Sequence, residues 1–395
     1  MDKPLPAGWR WVRLLEVSSI IMGQSPPGST YRKTSGEGLP FFQGKADFGE
    51  RYPTVTTWCV EPTRIAEPGD ILISVRAPVG PTNVANCRCC IGRGLAAIRP
   101  SKIMELDFLL FSLKHFEEKI TQKGKGSTFD AIRKDDLINF RIPLPPLDEQ
   151  RRIVAMLNEK MAAVQQSRQA AEEQLRAVQA LPAAYLRQAF PQLGQPLPMG
   201  WRWVRLGEVC DSTNIKDPRK EPNTPFIYVD ISSINKSTKY IDNPQNILGI
   251  NAPSRARQLI KTNDVIVSTT RPNLNAVALI SPEYNDQICS TGFCVLRPQL
   301  DFISPIFLYY FVQDEFFVST LSDLVKGALY PAVTDNDVRD VFIPLPPLDE
   351  QRRIVALLNE KMAAVQQARQ SAEEQLCAVQ VLPAAYLRQA FAGEL

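Results

Sequence analysis

Residues 142–190 read IPLPPLDEQRRIVAMLNEKMAAVQQSRQAAEEQLRAVQALPAAYLRQAF, and residues 343–391 read IPLPPLDEQRRIVALLNEKMAAVQQARQSAEEQLCAVQVLPAAYLRQAF. The two stretches differ at a handful of positions although 201 positions separate them, so one structural unit occurs twice. Pro143-Leu144-Pro145-Pro146-Leu147 cannot be helical and forms a stiff entry. Asp148 and Glu149 follow, where the positive end of a helix favours acids.

From there the apolar positions step by seven. One row is Val154, Met161, Arg168 and Leu175; the other is Leu157, Val164, Ala171 and Val178. The second copy gives Val355, Met362, Arg369 and Leu376 beside Leu358, Val365, Ala372 and Val379. This is the a/d seam of a coiled coil over four heptads, with Gln, Glu and Arg outside it. Arg168 and Arg369 weaken the seam and are read as register markers. An amphipathic helix packed only on its own domain would show the same period, but two near-identical copies favour mutual pairing. Each helix is predicted to run ~30 residues, or ~45 Å. Leu181-Pro182 and Leu382-Pro383 are expected to interrupt or kink the helices near their ends.

A second repeat frames the chain. Leu5-Pro6-Ala7-Gly8-Trp9-Arg10-Trp11-Val12-Arg13-Leu14 returns as Leu197-Pro198-Met199-Gly200-Trp201-Arg202-Trp203-Val204-Arg205-Leu206, 192 positions later. The plan is frame, cassette, frame, cassette: residues 1–143, a helix over 144–190, a linker over 191–196, residues 197–344, and a helix over 345–391. The second helix leaves the second cassette and must run back along the first, so the pair is antiparallel. The fold class is α+β: two α/β domains separated by two long helices forming an antiparallel coiled coil, pseudo-two-fold symmetric. The cassettes share a faint skeleton. Gly69-Asp70-Ile71-Leu72-Ile73-Ser74 matches Asn263-Asp264-Val265-Ile266-Val267-Ser268, and Arg76 is matched to Arg271. Gly94-Leu95-Ala96-Ala97-Ile98-Arg99-Pro100 matches Gly292-Phe293-Cys294-Val295-Leu296-Arg297-Pro298. Each is a short β-rich run.

Composition and missing motifs exclude several functions. No run approaches the ~20 apolar residues that span a bilayer, and residues 1–6 lack the apolar core of a signal peptide. A soluble, cytoplasmic protein without membrane contact is expected. Cys87-Arg88-Cys89-Cys90 has no second pair at ligand spacing and His115 is the only histidine, so no metal site is expected and the thiols are read as reduced. One histidine also leaves no nucleophile pair. Lys123-Gly124-Lys125-Gly126-Ser127 lacks the spacing of a phosphate loop, and no Asn/Asp-Pro-Pro-Tyr/Phe run is present to hold a flipped base.

Two unlike domains on a rigid rod make a caliper for two separate sites. A ~45 Å span covers ~13 base pairs of duplex, a little more than one turn. Charge supports this weakly. Residues 1–143 hold 20 Lys and Arg against 15 Asp and Glu, whereas 197–344 hold 14 against 16. A duplex binder acting alone is usually more basic, so either partners supply much of the phosphate clamp or the second cassette binds DNA with a locally basic surface.

The proline-rich entry with Leu-Asp-Glu-Gln-Arg-Arg-Ile-Val, occurring twice, and the Leu-Pro-x-Gly-Trp starts resemble the conserved regions of type I restriction–modification specificity subunits, over essentially the whole chain. The resemblance implies two target recognition domains, each reading half of a bipartite, asymmetric site in double-stranded DNA, and paired helices that set the gap. It implies a non-catalytic chain that docks two adenine-N6 methyltransferase subunits and joins restriction subunits carrying motor and nuclease. S-adenosylmethionine, ATP and Mg then belong to the partners, with no cofactor in this chain. A specificity chain serving a fused methyltransferase–nuclease would look the same. A coiled-coil scaffold that positions two protein-binding modules would differ only in lacking sequence-specific DNA binding.

Base edges take Arg, Lys, Asn or Gln, and phosphates take cations and hydroxyls. In the first cassette the candidates are Lys123, Lys125, Ser127 and Thr128 on a glycine-rich loop; Tyr31, Arg32 and Lys33 after a turn; and Gln43, Lys45 and Arg76. In the second they are Lys326 and Tyr330 at the place of the glycine loop, Arg271 with Asn273, Arg255 with Arg257, and Lys216 with Arg219 and Lys220.

Overall fold

The computed structural model describes residues 5–34, 36–124, 131–325 and 331–394. They form two compact units, one of residues 1–172 with 374–395 and one of residues 173–373. Both are built on one plan.

The two repeated motifs pair with each other. In the first unit the strand Arg10–Arg13 runs antiparallel to Arg141–Leu144, with Val12 opposite Ile142 and Trp11 opposite Pro143. In the second, Arg202–Arg205 meets Phe342–Leu345 in the same register, Val204 opposite Ile343 and Trp203 opposite Pro344. Proline donates no ladder bond, which suits it to a two-stranded ribbon with free edges. The start and end of each cassette are thereby stitched together.

Inside each cassette stands a four-stranded antiparallel sheet. Its order in the first unit is Ser18–Met22, Leu95–Pro100, Ile71–Ser74, Thr82–Val84; in the second it is Cys210–Asp211, Phe293–Pro298, Val265–Ser268, Val277–Leu279. Ile71–Ser74 and Val265–Ser268 are buried on both faces, so their apolar runs are continuous instead of alternating. Each strand starts from a left-handed residue, Gly69 at φ +88° and Asn263 at φ +74°. The next residue is a buried aspartate gripped bidentately by an arginine from the neighbouring strand. Arg99 reaches Asp70 at 2.7 and 2.8 Å, and Arg297 reaches Asp264 at 2.9 and 2.7 Å. Each carboxylate also accepts a backbone N–H, from Glu67 and Lys261. So many bonds offset the desolvation of a buried charge. A second sheet in each cassette contains a parallel pair, Phe41 beside Cys90 and Tyr228 beside Ile288.

Both long helices start where the prolines end. The first is Leu147–Ala189 and the second Leu348–Ala392. At 43 and 45 residues, or about 65 Å each, they exceed the ~30 predicted, because neither Pro182 nor Pro383 interrupts them. The residues beyond each proline reach a core: Leu186 and Phe190 pack beside Phe307 and Phe311 in the second unit, and Leu387 and Phe391 beside Phe108 and Phe116 in the first. That burial outweighs the missing helix bond. Within each unit the start of one helix meets the end of the other. Ile153, Val154 and Leu157 share a core with Leu387 and Phe391, and Ile354, Val355 and Leu358 share one with Leu186 and Phe190. Lys160 lies over the Tyr386 ring at 4.7 Å, as Lys361 lies over Tyr185 at 4.6 Å.

The row Leu157, Val164, Ala171, Val178 is buried along its length, as is Leu358, Val365, Ala372, Val379. The other row opens in its middle. Arg168 and Arg369 bond Glu172 and Glu373 of their own helices, each at 2.8 Å.

A fully buried glutamine anchors each helix start. Gln150 Nε2 donates to the carbonyls of Ile103 and Pro145, both at 3.0 Å, while its Oε1 accepts from the Glu105 N–H at 2.8 Å. Gln351 repeats the set with Phe302, Pro346 and Ser304. Glu105 and Ser304 are the N-caps of the cassette helices Leu106–His115 and Pro305–Phe311, so one side chain ties two helix starts together.

The eight cysteines are free thiols. Burial pushes Cys89, Cys210 and Cys294 up to about 12, so they stay protonated and unreactive. Cys377, on the second long helix, is exposed.

Gln150→Ala strands an N–H and two carbonyls away from water and should lower stability by about 2–4 kcal/mol. Urea unfolding measures the loss, and Gln165→Ala, at an exposed position of the same helix, should leave the midpoint in place. Ellman's reagent should titrate one thiol rapidly in the native chain, and Cys377→Ser should remove that phase.

Candidate nucleic-acid interface

The candidate residues of the first cassette separate into two groups. Tyr31 packs its ring on Phe41, centroids 4.7 Å apart, and donates its hydroxyl to the Pro26 carbonyl at 2.9 Å. Burial raises its pKa. Arg32 donates to the carbonyls of Ser29 and Tyr31 at 2.8 and 2.9 Å and stands 3.4 Å from Glu37. Lys33 donates to Thr57 Oγ1 at 3.1 Å. Tyr31 and Arg32 thus hold their own loop together, and Lys33 ties it to Thr57.

Gln43, Lys45 and Arg76 come together from two elements. Gln43 follows the strand Leu39–Phe42, Lys45 opens the 3-10 turn Lys45–Asp47, and Arg76 lies two residues beyond Ile71–Ser74. Asp47 holds the turn by accepting the N–H groups of Gln43 and Gly44 at 2.6 and 3.2 Å. They line a cleft of about 250 Å³ with Ser25 and Ser74, and its third cation is Arg93. Sequence reading missed Arg93, although Gly92-Arg93 immediately precedes the run from Gly94 that is matched between the cassettes. The glycines are required there. A Cβ on Gly94 would come within 2.2 Å of the Gln43 carbonyl oxygen, and one on Gly92 within 3.2 Å of Gln43 Cα. A larger hollow of about 600 Å³ continues past Gln43 and Lys45 to Thr57 and Pro78.

Lys123 lies in the last turn of the helix Glu117–Gly124, not on a loop, and is exposed. That helix is pinned near the cleft, since Thr121 Oγ1 donates to the Val79 carbonyl at 2.8 Å. Lys125, Ser127 and Thr128 lie outside the described residues, as do Lys326 and Tyr330.

In the second cassette the cations are largely answered by acids. Asp217 accepts from Arg219 at 3.1 Å and from Arg257 at 2.6 Å, and the Arg219 hydrogen bonds hold its carboxyl below the usual range. Lys216 stands 3.4 Å from Glu221. Lys220 and Arg255 are exposed, and the Arg255 carbonyl accepts from the Thr291 N–H at 2.8 Å. Arg271 adopts the left-handed conformation, φ +50°, and donates its N–H to the Pro331 carbonyl at 2.8 Å. Asn273 is exposed in the turn Pro272–Leu274 that follows.

The matching of Arg76 to Arg271 is off by one. Ser74 Oγ donates to the Arg76 carbonyl at 3.0 Å, and Ser268 Oγ donates to that of Thr270 at 2.9 Å. Arg76 bridges Ala131 as Thr270 bridges Ala332. Thr270 is therefore the counterpart of Arg76. Among the described residues no group of His, Cys, Asp and Glu is arranged to hold a metal ion.

Comparison with known proteins places this geometry. A model of the type I restriction modification DNA specificity domain matches residues 6–173 and again 198–371. The putative type I restriction enzyme MjaX specificity subunit of Methanocaldococcus jannaschii is 47% identical over 156 residues, covering 39% of this chain and 36% of that one. The EcoDI specificity subunit of Escherichia coli is 24% identical over 421 residues, 99% of this chain and 89% of the relative. Among solved structures, the HsdS subunit from Thermoanaerobacter tengcongensis superposes with a TM-score of 0.66 at 26% identity, covering 100% of this chain and 99% of that one. A chain from a structure of type I R-M complex assembly and conformational transition superposes with a TM-score of 0.80 at 26% identity over all of both chains.

Proposed function

The chain belongs to the type I restriction–modification DNA specificity family, and from that premise we propose that it is the non-catalytic subunit that chooses the DNA sequence, with one target recognition domain for each half of a bipartite, asymmetric site. The observation that carries the reading is the contrast between frame and cassette. The framing strands pair in the same register in both units, while the candidate surfaces they enclose carry different residues. A part that must be held the same way twice, and must present something different each time, fits a reader of two unlike half-sites.

The domains are taken as residues 1–143 and 197–344, with 144–190 and 345–391 as the spacer and 191–196 as linker. The two helices set the gap between half-sites through the seam that ends in the buried rows of Val and Ala. Two methyltransferase subunits dock on this frame and restriction subunits join them. S-adenosylmethionine, ATP and Mg are bound by those partners. No helix among the described residues is long and apolar enough to cross a membrane, and work on chromosomal DNA puts the complex in the cytoplasm.

Electrostatics favour assembly before tight binding. The second cassette is net acidic, and Asp217 and Glu221 already answer three of its candidate cations. Affinity for duplex without sequence preference rests on phosphate neutralisation, so the partners supply much of that clamp.

Co-expression with the cognate methyltransferase subunit, followed by mapping of methyladenine across the host genome, should reveal one motif of two specified halves and a fixed gap. A contiguous motif, or no methylation, would overturn the assignment. Removing one heptad from both helices, residues 165–171 with 366–372, should shorten the gap by about 3 base pairs and leave each half unchanged.

A further inference from the structure

The cleft of the first cassette and its counterpart in the second share a backbone and differ in chemistry. After the buried strand of each cassette, one N–H donates to a glycine carbonyl, Val75 to Gly94 and Thr269 to Gly292, both at 2.9 Å. With the serine bonds described above, these contacts fix the correspondence. Arg93, immediately before Gly94, stands where the second cassette has Thr291. Arg76 stands where it has Thr270. Lys45 opens the turn that Ile231 opens in the second cassette. Three cations are exchanged for two hydroxyls and an isoleucine.

Among the described residues none of Lys45, Arg76 and Arg93 has a carboxylate within ion-pair distance, in contrast to Arg32, Arg219 and Arg257. The backbone carrying Arg93 is locked by the glycine contacts with Gln43 and by its own N–H, which donates to Ser25 Oγ at 3.2 Å. A guanidinium presents paired donors in a plane, and guanine is the base that offers two acceptors, N7 and O6, on its major-groove edge. Once DNA displaces water from the cleft, any other base leaves at least one of those donors unpaired.

Resting on the function proposed above, we infer that Arg93, supported by Arg76, reads a guanine in the half-site of the first cassette, and that the second cassette takes no guanine reading from this position. Lys45, a point charge at the cleft edge, contacts phosphate.

The test compares genome-wide adenine methylation by the full chain, co-expressed with its methyltransferase subunits, and by Arg93→Gln and Arg93→Thr. The wild-type motif should contain a G·C pair in one half, and both variants should accept other pairs at that position alone. Discrimination there should fall roughly 5- to 150-fold, with the other half and the gap unchanged. Arg93→Gln keeps a long hydrogen-bonding side chain whose amide suits adenine instead of guanine, and decides alone if the threonine variant does not assemble. Three results would overturn the inference: a motif unchanged in both variants, methylation weakened equally at all sites, or relaxation at a position without guanine. A wild-type chain that yields no two-part motif would overturn the proposed function as well, which separates the two failures.

Discussion

The buried amide of Gln150, with its duplicate in Gln351, is the constraint on which the rest of the molecule depends. A primary amide removed from water must find partners for its donors and its acceptor. Here the partners come from the proline entry, from the chain before a cassette helix, and from the N-cap of that helix. One side chain therefore fixes where each long helix starts and where the cassette sits against it. The framing strands close the same ring from the other side, and the hydrophobic residues between them have one way to pack.

That arrangement explains what was legible in the letters. The long helices, their acidic first turns and their heptad rows follow from local periodicity, and duplication removes ambiguity about which residues matter. The buried strands were legible for the same reason, since Asp70 and Asp264 begin runs of matching β-forming residues. The role of Gln150 was not, because within Asp-Glu-Gln-Arg-Arg it reads as one more polar residue on an exposed face. The prolines misled in the opposite sense. Their cost is local, whereas the burial of Phe190 and Phe391 that outweighs it is set by distant parts of the chain.

The candidate surface was less legible than the fold, for an electrostatic reason. A cation in a turn is easy to find in a sequence, but its counter-ion is not. Arg219 and Arg257 look free until Asp217 is seen between them, and Arg32 until its backbone acceptors are seen. Arg93 was passed over because it stands alone between glycines. Matching Arg76 to Arg271 compared letters, while the hydrogen bonds of Ser74 and Ser268 show which positions share a place. In both cassettes the pairs inside the fold are repeated and the charges at its surface are not, so specificity is free to change without disturbing the core.

The closing residues of the second long helix sit in the core of the first unit, where Phe391 stacks on His115 and touches Phe108. This reverses the usual order of events at the ribosome, where the N-terminal part of a chain matures first. The second unit takes its last core residues from around Leu358 and Met362 and has its interior in hand while the chain is still growing. The first unit, although translated earlier, waits with an open hydrophobic face until Leu387 and Phe391 emerge. A nascent or clipped chain ending short of them would thus be damaged in the unit made first, which makes the emergence of Leu387 and Phe391 a checkpoint for that half of the molecule.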